Sequence, residues 1–525
     1  YILFIYLSLV ILLKLKAMLL EFMAGKENIV VLDDEVAGNL GVKPLDRVRL
    51  RCNGREMVAI VNIGKRLPRD SIALYDEVAH ALNVTHGDIV EVEPATPPDS
   101  IRYIKRKIRG ERLSYGEILE IVRDIISGRL SDIELTALVT TLHHRKMSIE
   151  EAYYFARAMV ETGETLNLKK KPILDKHSLG GVPGDKTTIL VVPIIASLGY
   201  IIPKTSSRAI TSPAGTADRV EVLCPVNLSI DEMREVVYKT NGCMVWGGAL
   251  KMAPADDLII KVEYPLGIDP FFIPSILAKK ASVGSTHIVI DIPMGRGTKV
   301  KSLEEASSIA NDFIEIGGRL GMHIECAATY GDQPIGYAIG PALEAKEALQ
   351  AVMTQKPLDL IDKATSLAGI LLGMVGESDG KAKALEALRK GKVEKKLREI
   401  IEAQGGDPKI MPEDIPIGDK MLNITAEKEG YILWIDNRAI ASLARAAGAP
   451  KDKGAGILLN VKLGDYVKKG DILFRIYAEK SYKLEFVEKV LEEMMPMNIG
   501  KPQKNMLIKR FTSIDFIEKW IGPER

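Results

Sequence analysis

Between Lys176 and Glu221 the chain concentrates residue types that hold anions: KHSLGGVPGDKTT, an apolar run, then KTSSRAITSPAGTADRVE. Gly180, Gly181 and Gly184 let a backbone come close to a ligand, and a helix begins just after them. Its free N–H groups and positive dipole end suit a phosphate. Lys176, Lys186 and Arg208 supply charge, while Ser178, Thr187, Thr188, Ser206, Ser207 and Thr216 supply hydroxyl donors. The loop is not a Walker A motif, because Asp185 stands where that motif needs Gly before Lys-Thr. Each loop alone also fits an ordinary turn-rich α/β edge. Two of them around one apolar run favour the anion.

The elements that must position these groups are legible. Pro172–Asp175 and Tyr200–Pro203 read as strands and Ile189–Leu198 as a buried helix, a βαβ unit with both loops at one sheet edge. Downstream, Ile230–Lys239, Phe272–Lys280 and Leu303–Leu320 read as helices, and Cys243–Trp246, Thr286–Ile292 and His323–Ala328 as strands. Ser275 and Lys279 are four apart, hence on one helical face. Leu358–Met374, Lys381–Lys390 and Val393–Ala403 are further helices punctuated by glycines.

The flanking regions divide into smaller units. Ser114–Ser127, Ser131–His144 and Ser148–Thr162 each open on Ser with apolar residues at helical spacing, and capping boxes are expected at Ser114 and Ser148. They form a helical domain over 101–170, with a return segment near 253–285. Pro94–Ser100 reads as a linker, and the basic run Arg102–Arg112 as a solvated face rather than a nucleic-acid patch. The span 18–94 is a β-rich barrel of short apolar runs. The echo between Leu40-Gly-Val-Lys-Pro-Leu-Asp-Arg-Val and Leu82-Asn-Val-Thr-His-Gly-Asp-Ile-Val suggests internal duplication. The α/β phosphate- and nucleotide-binding domain spans 171–420, and an α+β domain rich in alternating strands spans 421–510. Tyr1–Leu13 is apolar but, as a helix, only about 20 Å long, short of a bilayer core. Residues 1–17 are expected to be an upstream extension outside the native fold, with Met18 the natural start.

Composition narrows the class. At 525 residues there is room for three or four domains. Lys+Arg 71 against Asp+Glu 70 leaves a net charge of +1, with no global field for nucleic acid or membrane. Four cysteines without a CxxC pair read as reduced and cytoplasmic, and seven scattered histidines make no metal cluster. Many charges and only five glutamines suit a heat-adapted source.

Ser206-Ser-Arg-Ala-Ile-Thr-Ser-Pro-Ala-Gly-Thr-Ala-Asp-Arg-Val-Glu221 resembles the signature of the thymidine and pyrimidine-nucleoside phosphorylases. Lys176-His-Ser-Leu-Gly-Gly181, Gly184-Asp185 and Pro274-Ser-Ile-Leu-Ala-Lys-Lys280 resemble that family's other active-site segments. The GGVPGDKTT loop, Met244–Leu250 and the extra N-terminal module resemble its archaeal branch acting on nucleoside monophosphates. The likeness runs from about residue 18 to 510. It implies phosphorolysis of nucleoside 5′-monophosphates, chiefly AMP, to free base and ribose 1,5-bisphosphate.

By the same resemblance Lys176, Ser178, Thr188, Ser207 and Thr216, with Arg208, would hold the attacking phosphate. Gly181, the loop Ser207, Arg208, Ala209, Ile210, Thr211 and Ser212, with Thr216, Ser275, Lys279 and Lys299, would contact the nucleotide. Asp269 would protonate the leaving base, although an Asp before Pro is by itself an ordinary turn residue. No cofactor or metal is implied, phosphate being a substrate. A homodimer, enlarged through the N-terminal module, is the implied assembly. One departure bears on substrate: the arginine with which thymidine phosphorylases read a pyrimidine has no counterpart in Ile260–Asp269, where only Lys261 is basic. The alternatives are a thymidine or pyrimidine-nucleoside phosphorylase, anthranilate phosphoribosyltransferase-like chemistry (for which no acidic metal pair stands near the loops), or a non-catalytic nucleotide-binding scaffold.

Overall fold

The computed structural model describes residues 11–25, 27–209 and 212–501. Six strands close the N-terminal barrel: β1 (Leu13–Leu19), β2 (Ile29–Asp33), β3 (Arg47–Cys52), β4 (Arg55–Gly64), β5 (Ser71–Leu74) and β6 (Ile89–Ala95), in the order β1-β5-β2-β4-β3-β6. Two short helices, α1 (Asp34–Leu40) and α2 (Asp76–Leu82), both begin Asp-Glu-Val-Ala and end on left-handed caps, Gly41 and Asn83. The ladders repeat the same symmetry. β1 runs parallel to β5 and antiparallel to β6, as β4 does to β2 and β3. The duplication glimpsed in two phrases thus extends to whole halves, β1-β2-α1-β3 and β4-β5-α2-β6.

By that symmetry residues 13–17 belong to the barrel, against the expectation that residues 1–17 lie outside the native fold. β1 is the counterpart of β4, and without it β5 and β6 would present open edges. Leu15 and Ala17 point into the barrel core, while Lys14 and Lys16 point outward to Glu91 and Asp70. The Lys-Leu-Lys-Ala alternation is a strand's period of two, hidden beside an apolar run read as one block. Residues 1–10 of that block lie outside the described residues.

Four helices follow: α3 (Asp99–Ile108), α4 (Tyr115–Ile126), α5 (Asp132–Arg145) and α6 (Ile149–Glu161). Capping boxes close at Ser114 and Ser148 as expected, and at Ser131 as well. The linker is corrected here, and the basic run is a largely solvated helix face, with Arg102, Lys105, Arg109 and Arg112 exposed, from which Lys107 alone departs. Pro94 and Ala95 finish β6, and Ser100 is buried, its hydroxyl donating to Asp124 at 2.7 Å. Most of the basic run is α3, whose Lys107 is buried and donates to both Glu151 oxygens at 2.6 and 2.7 Å. A buried charge needs a partner, and this one is 44 residues away, beyond the reach of local pattern reading.

The α/β unit contains β7 (Leu174–Ser178), α7 (Thr187–Ser197), β8 (Ile202–Ser206), α8 (Thr216–Val220), α9 (Ile230–Thr240), β9 (Gly242–Trp246), α10 (Pro254–Leu266), α11 (Phe272–Ser282), β10 (His287–Met294), α12 (Leu303–Arg319) and β11 (His323–Tyr330). The parallel ladders β11-β10-β7 and β8-β9 are joined by a single bridge, Ile173 to Ile201. The loops after β7 and β8 therefore leave from neighbouring carboxyl ends, as the βαβ reading required. α7 is apolar and buried on every side, which suits a helix packed between a sheet and further helices. α10 and α11 return to the helical unit, sharing a core with α4–α6 that includes the edge-to-face pair Phe155–Phe271. Four helices between Pro341 and Ala403 cover the sheet. The C-terminal α+β unit has its own core under two small sheets, one of which borrows the strand Ala338–Ile339. Among the described residues no helix is long and apolar enough to cross a membrane.

Candidate active site

Where the loops after β7 and β8 meet α10 and α11 there is a cleft of about 350 Å³. Lys176, Ser178, Thr188, Ser207, Arg208, Ala209, Thr216 and Lys279 line it, as the sequence led us to expect. A larger, shallower hollow of about 840 Å³ between Arg296, Lys301 and Arg438 contains none of the expected residues. Its openness suits solvent better than a reaction.

The glycines of the first loop serve packing as much as ligand approach. Gly181 has φ +90°, and a Cβ there would stand 2.9 Å from the Lys299 nitrogen. The loop can therefore lie flat against the one after β10, which carries Lys299. That second loop is tied down from the C-terminal unit, where buried Asn437 donates to the carbonyls of Arg296 (3.2 Å) and Gly331 (2.7 Å).

The floor of the cleft is strongly cationic. Lys176 is buried, donates to Thr187 Oγ1 at 3.1 Å and has Asp185 and Asp291 at 3.7 and 3.9 Å. Burial pulls its pKa down while those carboxylates push it back up. Burial would raise Asp185, but Lys176, Lys363 and the Thr187 hydroxyl hold it well below the usual carboxylate range. Lys280, also buried, pairs with Asp175 at 2.8 Å. Lys204 has no carboxylate at ion-pair distance among the described residues; its ammonium donates to the Thr205 carbonyl. Burial, then repulsion from Lys280, drives Lys204 well below an ordinary lysine. The same burial and the lysines around it keep His177 neutral. Lys204, a buried cation lining the cleft without a carboxylate partner among the described residues, marks a place for an anion.

Lys204 and Lys280 were missing from the sequence-derived set. The available signal was a lysine at the carboxyl end of a buried strand in one case, and the second of two adjacent helical lysines in the other.

Arg208 lines the cleft, but its guanidinium is otherwise engaged. It forks onto Glu221 at 2.6 and 2.8 Å, reaches Asp218 at 3.3 Å and stacks over Trp246. That fork, joined by Lys453, pulls Glu221 down to about 2. Arg208 therefore organises the second loop while also lining the cleft in which it is expected among the phosphate ligands. Asp218, not anticipated, accepts the Ala209 and Gly215 N–H groups at 2.7 and 2.9 Å and closes the same loop. Ser212 donates to the Ala214 carbonyl at 3.3 Å and shapes the loop's return. Ile210 and Thr211 lie outside the described residues.

Across from the lysines stands the helical unit. Lys279 on α11 pairs with Asp256 on α10 at 2.6 Å, and Ser275 lies one turn earlier on α11. Asp269, in the turn between these helices, is outside the cleft lining and water-accessible, yet close enough to Lys279 to bias its charge. Its charge environment is set by Lys299 and Lys279, which favour the carboxylate, and Asp256, which opposes it, while its exposure to water leaves little desolvation. Lys299 lies 5.0 Å from the Phe272 ring centre, likewise at the margin. The arrangement has an anion seat where the loops after β7 and β8 meet α11, and an exposed carboxyl, Asp269, in the turn between α10 and α11. Such a pair can hold a nucleophilic anion and deliver a proton to a leaving group on the opposite face. Among the described residues, no group of three His, Cys, Asp or Glu side chains is placed to hold a metal.

Residues 101–163 match the family described as "Glycosyl transferase family, helical bundle domain", 170–394 the "Glycosyl transferase family, a/b domain", and 431–498 the "Pyrimidine nucleoside phosphorylase C-terminal domain". The AMP phosphorylase of Thermofilum pendens is 57% identical over 498 residues, covering 95% of this chain and 97% of that protein. The AMP phosphorylase of Thermococcus kodakarensis is 48% identical over 507 residues, covering 95% and 100%. Among solved structures, anthranilate phosphoribosyltransferase from Thermus thermophilus overlays with a TM-score of 0.48 at 21% identity, covering 57% of this chain and 98% of that one.

Proposed function

The chain belongs to the AMP phosphorylase family, and on that premise we propose how its cleft carries out the reaction AMP + phosphate → adenine + ribose 1,5-bisphosphate. The observation that carries the reading is the cleft that gathers Lys176, Ser178, Thr188, Ser207 and Thr216 around the buried Lys204, which has no carboxylate partner among the described residues. Inorganic phosphate binds on the floor, held by Lys176, Ser178, Thr188, Ser207 and Thr216, with Lys204 and Lys280 supplying further charge. The nucleotide lies between this anion and the helical wall, contacting Gly181, the loop from Ser207 to Ser212, Ser275, Lys279 and Lys299. A phosphate oxygen forms the new bond to the anomeric carbon as the glycosidic C–N bond breaks. The bonding electrons leave with the base, which takes a proton from Asp269. Positive charge developing on the sugar is stabilised by the phosphate dianion beside it. Neutral His177 lets the lysines and phosphate set the field without adding a titrating charge.

No cofactor enters this scheme. The reading extends to a homodimer, with the barrel free to join dimers, and to a cytoplasmic setting, supported by four free cysteines. Base release from AMP, CMP, UMP, adenosine and thymidine, each with and without phosphate, tests the function. Phosphate-dependent adenine release from AMP but not from adenosine is expected. Release from thymidine alone would return the chain to nucleoside substrates, and no release from any would leave a binding protein.

A further inference from the structure

Beneath the cleft, Lys176 sits in a buried cluster with a second cation, Lys363, and two carboxylates, Asp185 and Asp291. Lys363 comes from the helix Leu358–Met374, which packs against β7, β10 and β11, and Asp291 comes from β10. Both are buried, at 8% and 0% exposure, and neither lines the cleft. Asp291 is fully engaged without Lys176. Its Oδ1 accepts the Thr329 hydroxyl at 2.6 Å, and its Oδ2 ion-pairs with Lys363 at 2.9 Å. The Lys176 ammonium stands 3.9 Å from that same Oδ2, outside hydrogen-bond reach. Asp185 likewise gives its Oδ1 to the Thr187 hydroxyl and keeps its Oδ2 3.7 Å from Lys176. An ammonium carries three donors, and Lys176 uses one, on Thr187 Oγ1 at 3.1 Å. The carboxylates therefore favour its charge without consuming it.

We propose that Lys363 is a positioning residue for the phosphate seat: by holding Asp291 it leaves the remaining donors of Lys176 free for the attacking phosphate. The inference rests on Lys176 being a phosphate ligand. Burial works against the charge of Lys363, but Asp185 and Asp291 outweigh it and hold its pKa above that of an ordinary lysine. Without that charge, Asp291 is a buried carboxylate short of a cation, and Lys176 is the one other cation at ion-pair distance among the described residues. A small shift of the lysine side chain from 3.9 Å to contact would pair the two. Lys176 would then be consumed by its carboxylate as Arg208 is by Glu221.

The test is steady-state phosphorolysis of AMP with phosphate varied, for the wild type, Lys363→Met, and Lys363→Met combined with Asp291→Asn. Lys363→Met should raise the phosphate KM roughly 10- to 150-fold, the loss of one charge-assisted hydrogen bond. It should leave kcat at saturating phosphate and the KM for AMP little changed. Adding Asp291→Asn removes the carboxylate that would capture Lys176, and should bring the phosphate KM most of the way back. A fall in kcat with the phosphate KM unmoved would reduce Lys363 to a structural residue and overturn the inference; so would a raised KM that the second change does not recover. The reading beneath is tested separately in Lys176→Ala, by the rise in melting temperature on adding phosphate. An undiminished rise there would remove Lys176 from the phosphate ligands, whatever Lys363 does. Should Lys363→Met fail to fold, the double variant decides alone, since removing both partners of a buried pair is mild for a fold. A phosphate KM near the wild type's supports the proposal, and a clearly raised one would refute it by showing that the pair itself shapes the seat.

Discussion

Replacing Lys204 by methionine should make the protein more stable and a poorer binder of phosphate. The ammonium is 4% exposed, has no carboxylate partner among the described residues and is repelled by Lys280. Methionine nearly matches its length without the charge, so the free enzyme loses an uncompensated buried cation. A gain of about 1 kcal/mol would raise the melting temperature by about 2–4 °C for a unit of 150–250 residues. The sign with pH is fixed by linkage. The folded pKa of Lys204 lies below its unfolded value near 10.5, so between the two the unfolded chain binds more protons. Wild-type stability therefore climbs as pH rises through that window, and the variant should lack this climb. Bound phosphate reverses the balance. A charge-assisted hydrogen bond is worth about 1.5–3 kcal/mol, so KM for phosphate should rise roughly 10- to 150-fold. Added phosphate should also stabilise the wild type more than the variant. Melting curves with and without phosphate, beside phosphate kinetics, measure both effects. A variant that melts lower and keeps its phosphate KM would refute the reasoning.

Lys176→Ala should abolish most turnover, and Asp269→Asn should cut kcat by on the order of 10²–10⁴; a loss confined to KM would make Asp269 a substrate-positioning group. A chain beginning at Met18 loses most of β1, including Leu15, whose burial alone contributes about 2 kcal/mol. Its barrel should therefore melt early by circular dichroism, and an unchanged barrel transition would contradict the strand pairing described above. Glu151→Ala strands buried Lys107 and should cost about 3–5 kcal/mol by thermal or urea denaturation, whereas the double change Lys107→Met with Glu151→Leu should be close to neutral. Burial disfavours the Glu151 carboxylate, but Lys107 and the Ser148 and Leu113 N–H groups hold it below its ordinary pKa. The stability it contributes is therefore present above pH 4.5 and lost as pH falls through the folded pKa.

The loops were legible because backbone approach to an anion demands particular residues, and glycines and hydroxyls at the ends of apolar runs declare themselves locally. The capping boxes at Ser114 and Ser148 and the buried helix after Thr188 were legible for the same reason, since each is a pattern within a few residues. What failed were features whose partner is distant. β1 went unread because Lys14 and Lys16 looked like the end of an apolar block, and only the mirrored pairing of β4 makes their alternation meaningful. Lys107 looked like one more member of a solvated face because Glu151 is not visible from its neighbourhood.

By itself, then, the sequence determined the chemistry offered to the cleft and the order of elements that offer it. Whether a given charge is available was decided only in three dimensions. Arg208 and Lys204 are both cations near the same loop, yet one is consumed by Glu221 and Asp218 and the other faces the cleft unmatched. The reason is physical. Charge type belongs to the residue, but pairing and desolvation depend on what the fold packs against it.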